Sequence, residues 1–259
     1  MVRQLEISLF WTKTPYDKLL RVLFLVGLLW GIVSLACAAD TLTVGAFSTL
    51  DPEQGLPLGW QKLIFPRIVN HTQYRLIHMN GKTVLQARSK AAASGLIRPI
   101  AVNPRQYPWL AWSWRVQNIL KKGNATSKQG DDYPARIYVA FAFESGKAGL
   151  WERLRHKTAS LAAGRELPGS VLNYIWASHA PVDLFVNNPY TSRAKMIVVR
   201  SGARNLNRWI NERRNIPTDY KKAFGKEPPA IIGVAVMTDT DNTGEEAVAY
   251  YGDIVLSSD

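Results

Sequence analysis

Several short stretches of this chain alternate strictly between apolar and polar residues, which limits the folds that are open to it. Successive side chains of an extended strand point to opposite faces, so a period of two predicts half-buried strands. The clearest case is Trp109–Val116, whose apolar face would carry Leu110, Trp112, Trp114 and Val116. The other predicted strands are Tyr74–Met79, Lys82–Arg88, Ser94–Val102, Arg136–Phe143, Val171–Trp176, Lys195–Arg200, Ile231–Met237 and Val248–Leu256.

Turn residues separate these strands at short intervals, and helical periodicity is confined to two places. Asn80-Gly81 stands between two strand patterns and predicts a hairpin, because both positions of such a turn require positive φ. One helix is predicted over residues 148–163, and a second over Leu206–Arg214, continuing past Pro217 into a short turn. Many short strands and few helices predict a mainly β fold, an antiparallel β-sandwich with one or two peripheral helices.

The N-terminus has the organisation of a secretory signal peptide. Four basic residues precede the apolar run Val22–Ala36, which is followed by Cys37 and Ala38. A positive segment, an apolar segment and small residues at the end are typical of a cleavable leader. We expect cleavage near Ala38, a periplasmic or secreted product, and one β-sandwich domain over residues 39–259. An uncleaved leader acting as a membrane anchor and a lipidated Cys37 remain alternatives.

Charge and cysteine content narrow the possible functions. Cys37 is the only cysteine, so the cleaved chain would contain neither disulfides nor thiolate metal sites. The formal charge is +12, of which residues 1–38 contribute +2. An exported basic protein meets anionic lipids and acidic polysaccharides before nucleic acid, and no nucleic-acid-binding motif is present. The positive charge could also serve solubility alone.

An acidic cluster near the C-terminus is the best candidate for a specific site. The segment Asp239–Glu246 resembles the start of a calcium loop, with oxygen-bearing side chains at alternate positions and Gly244 at the turn. The twelfth position is Tyr250 rather than glutamate, which excludes an EF-hand. The sequence therefore predicts a possible structural calcium in a β-sandwich; its candidate ligands are Asp239, Asp241, Thr243, Glu245 and Asp253. A hairpin turn rich in Asp and Asn, or ion pairs with the protein's own arginines, would also explain the cluster.

A family resemblance rests on several segments taken together. The chain resembles the bacterial domain of unknown function 3047 over roughly residues 43–258, a family that implies no activity. Its closing strand is also similar to the last strand of galactose-binding-like jelly rolls, which often bind sugars and often hold a structural calcium. The segments that carry these resemblances are Leu56–Trp60, Phe65-Pro66, Ser94–Ile97, Gly130–Tyr138, Asp239–Glu245 and Tyr251–Ile254.

Five residues are candidates for binding a ligand. Trp109 shares a strand face with Ser113 and Arg115, so its ring could stack on a sugar. The segment Gly130–Arg136 places acidic residues just before a buried strand, where one could join a site or form an ion pair. The predicted ligand-binding residues are Trp109, Arg115, Asp132, Arg136 and Tyr138.

Three functions are compatible with this sequence. The first hypothesis is a non-catalytic exported module that binds a carbohydrate or an anionic envelope polymer. The second is a hydrolase or lyase acting on polysaccharide, with Arg136, Tyr138, His179 and either Asp131 or Asp132 in its cleft. The third is an envelope scaffold protein. The predicted helix Leu206–Arg214 could touch an anionic polymer through its arginines.

Overall fold

Two β-sheets face each other in the computed structural model, which describes residues 39–146, 149, 153, 154, 156, 157, 160 and 167–259. The strands are β1 (Thr41–Gly45), β2 (Gln61–Leu63), β3 (Gln73–Met79), β4 (Lys82–Lys90), β5 (Ala93–Val102), β6 (Trp109–Val116), β7 (Ala135–Phe141), β8 (Ser170–Ala177), β9 (Phe185–Asn187), β10 (Ala194–Ser201), β11 (Ile210–Asn215), β12 (Ile231–Asp239) and β13 (Glu246–Ser257). The helix α1 spans Ile216–Phe224.

The strand order defines a six-stranded and a seven-stranded sheet. Sheet 1 has the order β11-β6-β13-β4-β3, with β1 added alongside β13, and sheet 2 has the order β2-β5-β12-β7-β8-β10-β9. Strands β4 to β7 alternate between the two sheets, as in jelly rolls. The predicted antiparallel β-sandwich is therefore confirmed. Pairing is antiparallel apart from β8 and β10, which run parallel.

The core between the sheets is rich in aromatic side chains, as the alternation in β6 predicts. Every second residue of that strand is buried, beginning with Leu110, and the others are partly exposed. The ring centroids of Trp112 and Trp114 lie 5.3 Å apart, and that of Trp114 lies 5.8 Å from that of Trp176 on sheet 2. The Trp114–Trp176 pair joins the two sheets, and edge-on aromatic contacts of this kind add to the stabilisation from area burial.

The hairpin predicted at Asn80-Gly81 joins β3 to β4. The φ angles of Asn80 and Gly81 are 51° and 80°, so both residues occupy the left-handed region that this turn needs. The pairing runs without interruption from Met79 opposite Lys82 to Gln73 opposite Arg88. This turn therefore fixes the register of the edge of sheet 1.

The predicted helix Leu206–Arg214 is wrong. Its second half is the edge strand β11, which pairs with β6 from Ile210 opposite Trp114 to Asn215 opposite Trp109. The helix begins only at Ile216, where the Asn215 side chain accepts a hydrogen bond from the Thr218 amide and caps the first turn. Pro217 occupies the first turn of α1, where its missing N–H costs nothing.

Two other predictions fall wholly or partly outside the described residues. The leader over residues 1–38 is one of them. Within the predicted helix 148–163, the described residues 153, 154, 156, 157 and 160 are helical. Among the residues that the structure describes, no helix has the length and apolar character needed to cross a membrane.

Candidate functional site

A buried arginine, Arg136 of β7, holds the end of sheet 2 together. Its Nε donates a hydrogen bond of 2.8 Å to Asp239 Oδ1, and its Nη2 donates to Asp239 Oδ2. Both side chains are only 3% exposed. Because β7 and β12 are neighbours, with Met237 opposite Arg136, the pair is set by strand register. One alternative left open by the sequence, an ion pair between the acidic cluster and the protein's own arginine, is thus present.

The remaining faces of the Arg136 guanidinium are also occupied. Its Nη1 donates to the Tyr138 hydroxyl over 3.1 Å, and its Nη2 donates to the Asp131 carbonyl over 2.5 Å. Its central carbon lies 4.2 Å from the centroid of the Tyr133 ring, a cation–π contact. We call Arg136, Asp239, Tyr133, Tyr138 and Asp131 the Arg136 centre.

Asp132 lies beside this centre and organises the β12–β13 turn. Its Oδ1 accepts hydrogen bonds from the amide N–H and the side-chain amide of Asn242, over 3.3 and 3.0 Å. Its Oδ2 accepts one of 2.6 Å from the Thr243 amide. Asp132 is fully buried, so these bonds compensate a desolvated carboxylate.

Three carboxylates converge here at metal-ligating distances. One oxygen each of Asp132, Asp239 and Asp241 lies within 4.8 Å of the other two. Burial raises the pKa of Asp241, and the negative charge of Asp132 raises it further. A divalent cation would relieve this repulsion, and carboxylate oxygens suit calcium. Arg136 already neutralises Asp239, however, so Asp132 and Asp241 are the carboxylates left for a cation.

The other predicted calcium ligands lie in different surroundings. Thr243 contributes its backbone amide to Asp132. The Glu245 carboxylate accepts hydrogen bonds from the amides of Lys121 and Lys122, over 2.9 and 2.8 Å. Asp253 accepts two hydrogen bonds from Ser48, at the β13 bulge in sheet 1. The structure thus brings Asp239 and Asp241 together and adds Asp132, while Glu245 and Asp253 are engaged elsewhere.

Two buried polar atoms of the Arg136 centre lack a hydrogen-bond partner among the described residues, namely Asp131 Oδ1 and the Tyr133 hydroxyl. Asp131 Oδ1 lies 3.8 Å from Arg136 Nη1, close enough for charge attraction. Burial raises the pKa of Asp131, and Arg136 opposes that shift. The centre therefore places two carboxyl groups, those of Asp131 and Asp239, beside a single guanidinium.

The other predicted ligand residues, Trp109 and Arg115, lie on the outward face of sheet 1. A guanidinium covers the Trp109 ring, because the central carbon of Arg213 in the neighbouring strand lies 3.8 Å from its centroid. Arg115 lies 5.7 Å from the Tyr250 ring centroid, and its buried Nε makes no hydrogen bond in the described part of the chain. The five predicted ligand residues are therefore divided between two sheets.

Basic side chains are concentrated on this outward face. The strand registers place six of them at outward positions: Arg75, Lys82, Arg88, Lys90, Arg115 and Arg213. Among the regular outward positions of β3, β4, β6, β11 and β13, the one carboxylate is Glu246, which forms an ion pair of 2.7 Å with Lys90. The face therefore carries a net positive charge.

A cleft of about 290 Å³ opens on the same face beside Trp209. Trp209 lies over Gly252, where an added Cβ would come within 3.6 Å of the indole. The Trp209 cleft is lined by polar groups and a few apolar ones: Ser48, Asn80, Lys82, Ser113, Asn211 and Asp253 with Met79 and Val84. The sequence analysis missed Trp209 because it assigned the residue to a helix.

The residues of the hypothetical hydrolase or lyase cleft meet only in part. Arg136, Tyr138 and Asp131 belong to one centre, and Asp132 lies beside it. His179 is exposed and its ring nitrogen lies 3.2 Å from the Lys121 carbonyl. The Arg136 guanidinium is fully engaged by protein groups, which is typical of a structural arginine.

The protein is a β-sandwich with jelly-roll connections. Sheet 1 has a basic outward face, and carboxylates cluster at the end of the sandwich beside Arg136. The chain belongs to the family described as Protein of unknown function (DUF3047), which it matches over residues 58–255. The family resemblance drawn from the sequence is thereby confirmed. No curated protein matches this sequence significantly.

Several solved structures are similar in fold. A family 11 carbohydrate-binding module of the cellulosomal cellulase Lic26A-Cel5E of Clostridium thermocellum is 9% identical, with a TM-score of 0.39 over 85% of this chain and 95% of that one. Endoglucanase 3 of Trichoderma harzianum, from family GH12, is 6% identical, with a TM-score of 0.37 over 85% and 97%. The cellulose induced protein Cip1 is 13% identical, with a TM-score of 0.31 over 77% and 91%. At these values the similarities assign neither a ligand nor a reaction to this chain.

Proposed function

We propose that this protein is an exported, non-catalytic module that binds an acidic carbohydrate polymer of the envelope on the outward face of sheet 1. The observation that carries the proposal is the concentration of six basic side chains on that face, against two carboxylates, Glu246 paired with Lys90 and Asp253 bonded to Ser48. A surface of one sign raises the local concentration of oppositely charged polymers.

The Trp209 cleft supplies the contacts that a sugar needs beyond charge. An indole face packs against the apolar face of a sugar ring, and nearby amides and hydroxyls bond its hydroxyl groups. Trp209 supplies the aromatic surface, while Asn80 and Asn211 supply amides. Because Lys82 lines the same cleft, a sugar bound there would be near a cation.

The hydrogen bonds that Arg136 makes to protein groups support a non-catalytic function. A residue that neutralises a substrate carboxylate must have donors free to reach it, whereas Arg136 is 3% exposed and bound to Asp239. The Arg136 centre therefore serves the architecture of the loop end. Calcium at Asp132 and Asp241 remains a prediction, and so does export through a leader over residues 1–38.

Calorimetric titration with oligosaccharides tests this proposal. Alginate oligomers, which carry one carboxylate per sugar, should bind, and binding should weaken with salt. Neutral cello-oligosaccharides of the same length should bind much more weakly. Equal affinity for both polymers, or no binding of alginate by the folded protein, would contradict the proposal.

Two substitutions and one control variant locate the binding surface. Arg88→Glu should lower alginate affinity roughly fivefold, as expected when one exposed ion pair becomes repulsive. Arg105→Glu makes the same change of charge at an exposed position in the loop between β5 and β6, outside the strands of sheet 1, and it should leave affinity nearly unchanged. Trp209→Ala should lower affinity about tenfold, as for other aromatic contact residues. If Arg105→Glu weakened binding as much as Arg88→Glu, the charge effect would be general and the proposed face would be wrong.

A further inference from the structure

The two sheets leave a cleft of about 500 Å³ between their edge strands β2 and β3. Leu76 of β3 and Leu96 of β5 line it, and both belong to the buried core of the sandwich. Leu56 and Ile64 line it from the segments on either side of β2. The cleft therefore lies against the apolar core, in the size range of small-molecule sites.

The shortness of β2 explains why this cleft exists. The strand has three residues and ends the order of sheet 2, so it covers little of the gap. Lys62 pairs with Leu96 and so lies on the same side of the sheet as that core residue. A position where the pleat would bury an apolar side chain thus holds an exposed lysine at the mouth of the cleft.

The charged side chains that line this cleft are all basic. They are Lys62 and Arg75, and no Asp or Glu is among the lining residues. Arg75 Nε donates a hydrogen bond of 2.8 Å to Gln86, on the outward face of sheet 1, which leaves Lys62 as the cation at the mouth. The loop before β2 also exposes Leu58, which is 94% accessible. An apolar floor with a cationic rim complements an apolar chain that ends in an anion.

We propose that this cleft binds a fatty acid, with its alkyl chain along Leu56 and Ile64 and its carboxylate at Lys62. Ile64 is 44% exposed, so covering it with the chain removes apolar area from water on both partners and supplies the affinity. Lys62 supplies the orientation and the preference for an anion. Of the six basic residues on the polymer-binding face, this cleft shares only Arg75, and the proposal does not depend on polymer binding.

An inward lysine on an edge strand has another known use, which is to prevent pairing with a second molecule. If that were its only role, Lys62 variants would self-associate while the cleft bound no amphiphile. Binding measurements therefore distinguish the two roles directly.

The first experiment is calorimetric titration of the full chain with laurate, kept below its micellar concentration. We expect one laurate per protein and weaker binding of dodecyltrimethylammonium, which has the same tail and a cationic head. Lys62→Glu should lower laurate affinity roughly fivefold and favour dodecyltrimethylammonium over laurate. The reason is that one exposed attractive ion pair with the carboxylate becomes repulsive. Arg105→Glu should leave both affinities unchanged. No laurate binding by the folded protein, or equal effects of the two variants, would overturn the proposal.

A second pair of variants tests the position of the alkyl chain. Ile64 lines the cleft and is 44% exposed, so Ile64→Glu should fold and should weaken laurate binding at least as strongly as Lys62→Glu. Val182 is 51% exposed and lies outside the cleft lining, so Val182→Glu is the matched control. In an alginate titration, Ile64→Glu should bind with the same affinity as the parent chain. Loss of laurate binding in Val182→Glu, or its retention in Ile64→Glu, would contradict this placement.

Discussion

Arg136 interacts with an unusually large number of partners for a side chain that is almost entirely buried. It bonds both carboxylate oxygens of Asp239, the Tyr138 hydroxyl and the Asp131 carbonyl, and it covers the Tyr133 ring. A buried ion pair gains little over a well-packed apolar pair, but the loss of one partner leaves an uncompensated charge. The stability of this end of the sandwich therefore depends on both members being present.

This dependence gives the first prediction. Asp239→Asn should lower the free energy of unfolding by about 3 kcal/mol, because the buried Arg136 would lose the carboxylate that bonds it directly and keep only Asp131, 3.8 Å away. Urea denaturation followed by tryptophan fluorescence measures the change. The control is Glu227→Gln, which removes an exposed partner of Lys221 and should cost well under about 1 kcal/mol. A loss for Asp239→Asn no larger than that of the control would disprove the structural role.

Asp241 gives the second prediction, which concerns pH and calcium. Burial, reinforced by Asp132, raises its pKa in the folded state above that in the unfolded state. Its contribution is therefore most favourable below the unfolded pKa and is lost as pH rises through the folded pKa. Asp241→Asn should raise the unfolding temperature at pH 7 in the presence of a chelator and flatten the pH dependence above pH 4.

If calcium binds at this site, it should raise the unfolding temperature of the parent chain at pH 7 and leave Asp241→Asn unchanged. Asp253→Asn, which affects only the Ser48 contacts in sheet 1, should keep the calcium response. A response that persists in Asp241→Asn would place the cation elsewhere, and no response in the parent would contradict the calcium prediction.

Sequence reasoning singled out Arg136 and Asp239 but could not pair them. They are 103 positions apart, and their contact arises from the β7–β12 register, which no local pattern encodes. The alternation of β6 likewise placed Trp109 and Arg115 on an outward face but could not show that Arg213 would cover the Trp109 ring. Local patterns predict the face of a strand; they do not predict which strand lies beside it.

Among the elements, β11 shows how a tertiary contact overrides a local pattern. Its sequence is strongly charged, yet Glu212 bonds both Trp114 Nε1, over 3.2 Å, and Arg200 Nε, over 2.5 Å. These partners come from β6 and β10, so the strand is stabilised by both sheets. The helix signal at Pro217 was real but belonged to the start of α1 rather than to the end of a preceding helix.

The β3–β4 hairpin is the element that the sequence predicted best, because its turn is encoded by two adjacent residues. The third prediction tests that encoding. Gly81→Ala should lower the free energy of unfolding by about 1 to 2 kcal/mol, because alanine disfavours the φ of +80° at this turn. Since an added Cβ at Gly81 meets nothing within 4 Å, the cost would come from the backbone alone.

Gly146→Ala is the matched control for this turn. An added Cβ there also has open space, but its φ lies outside the left-handed region, so the substitution should be neutral or slightly stabilising. Equilibrium denaturation of both variants measures the difference. Equal effects would show that the left-handed turn does not set the stability of this hairpin.

At the scale of the whole molecule, charge and apolar surface are distributed unevenly over the sandwich. Sheet 1 carries its basic side chains outward, the loop end beside β7 and β12 concentrates carboxylates around Arg136, and the cleft at the β2–β3 edge lies against the core. The alternation in the sequence predicted two layers but not this distribution, since it depends on which strands are neighbours. An anionic polymer should therefore meet one face, while a cation should bind at one end.

The last prediction concerns the independence of the sandwich from the first 38 residues. Residues 39–259 form one compact unit whose core joins both sheets through Trp112, Trp114 and Trp176. Because one core serves both sheets, a chain that begins at Ala39 should fold and unfold in a single cooperative transition. Urea curves from tryptophan fluorescence and far-ultraviolet circular dichroism should coincide, with a midpoint matching that of the full chain. Two separated transitions, or failure of the shortened chain to fold, would mean that the two sheets do not share one core or that residues 1–38 belong to the folding unit.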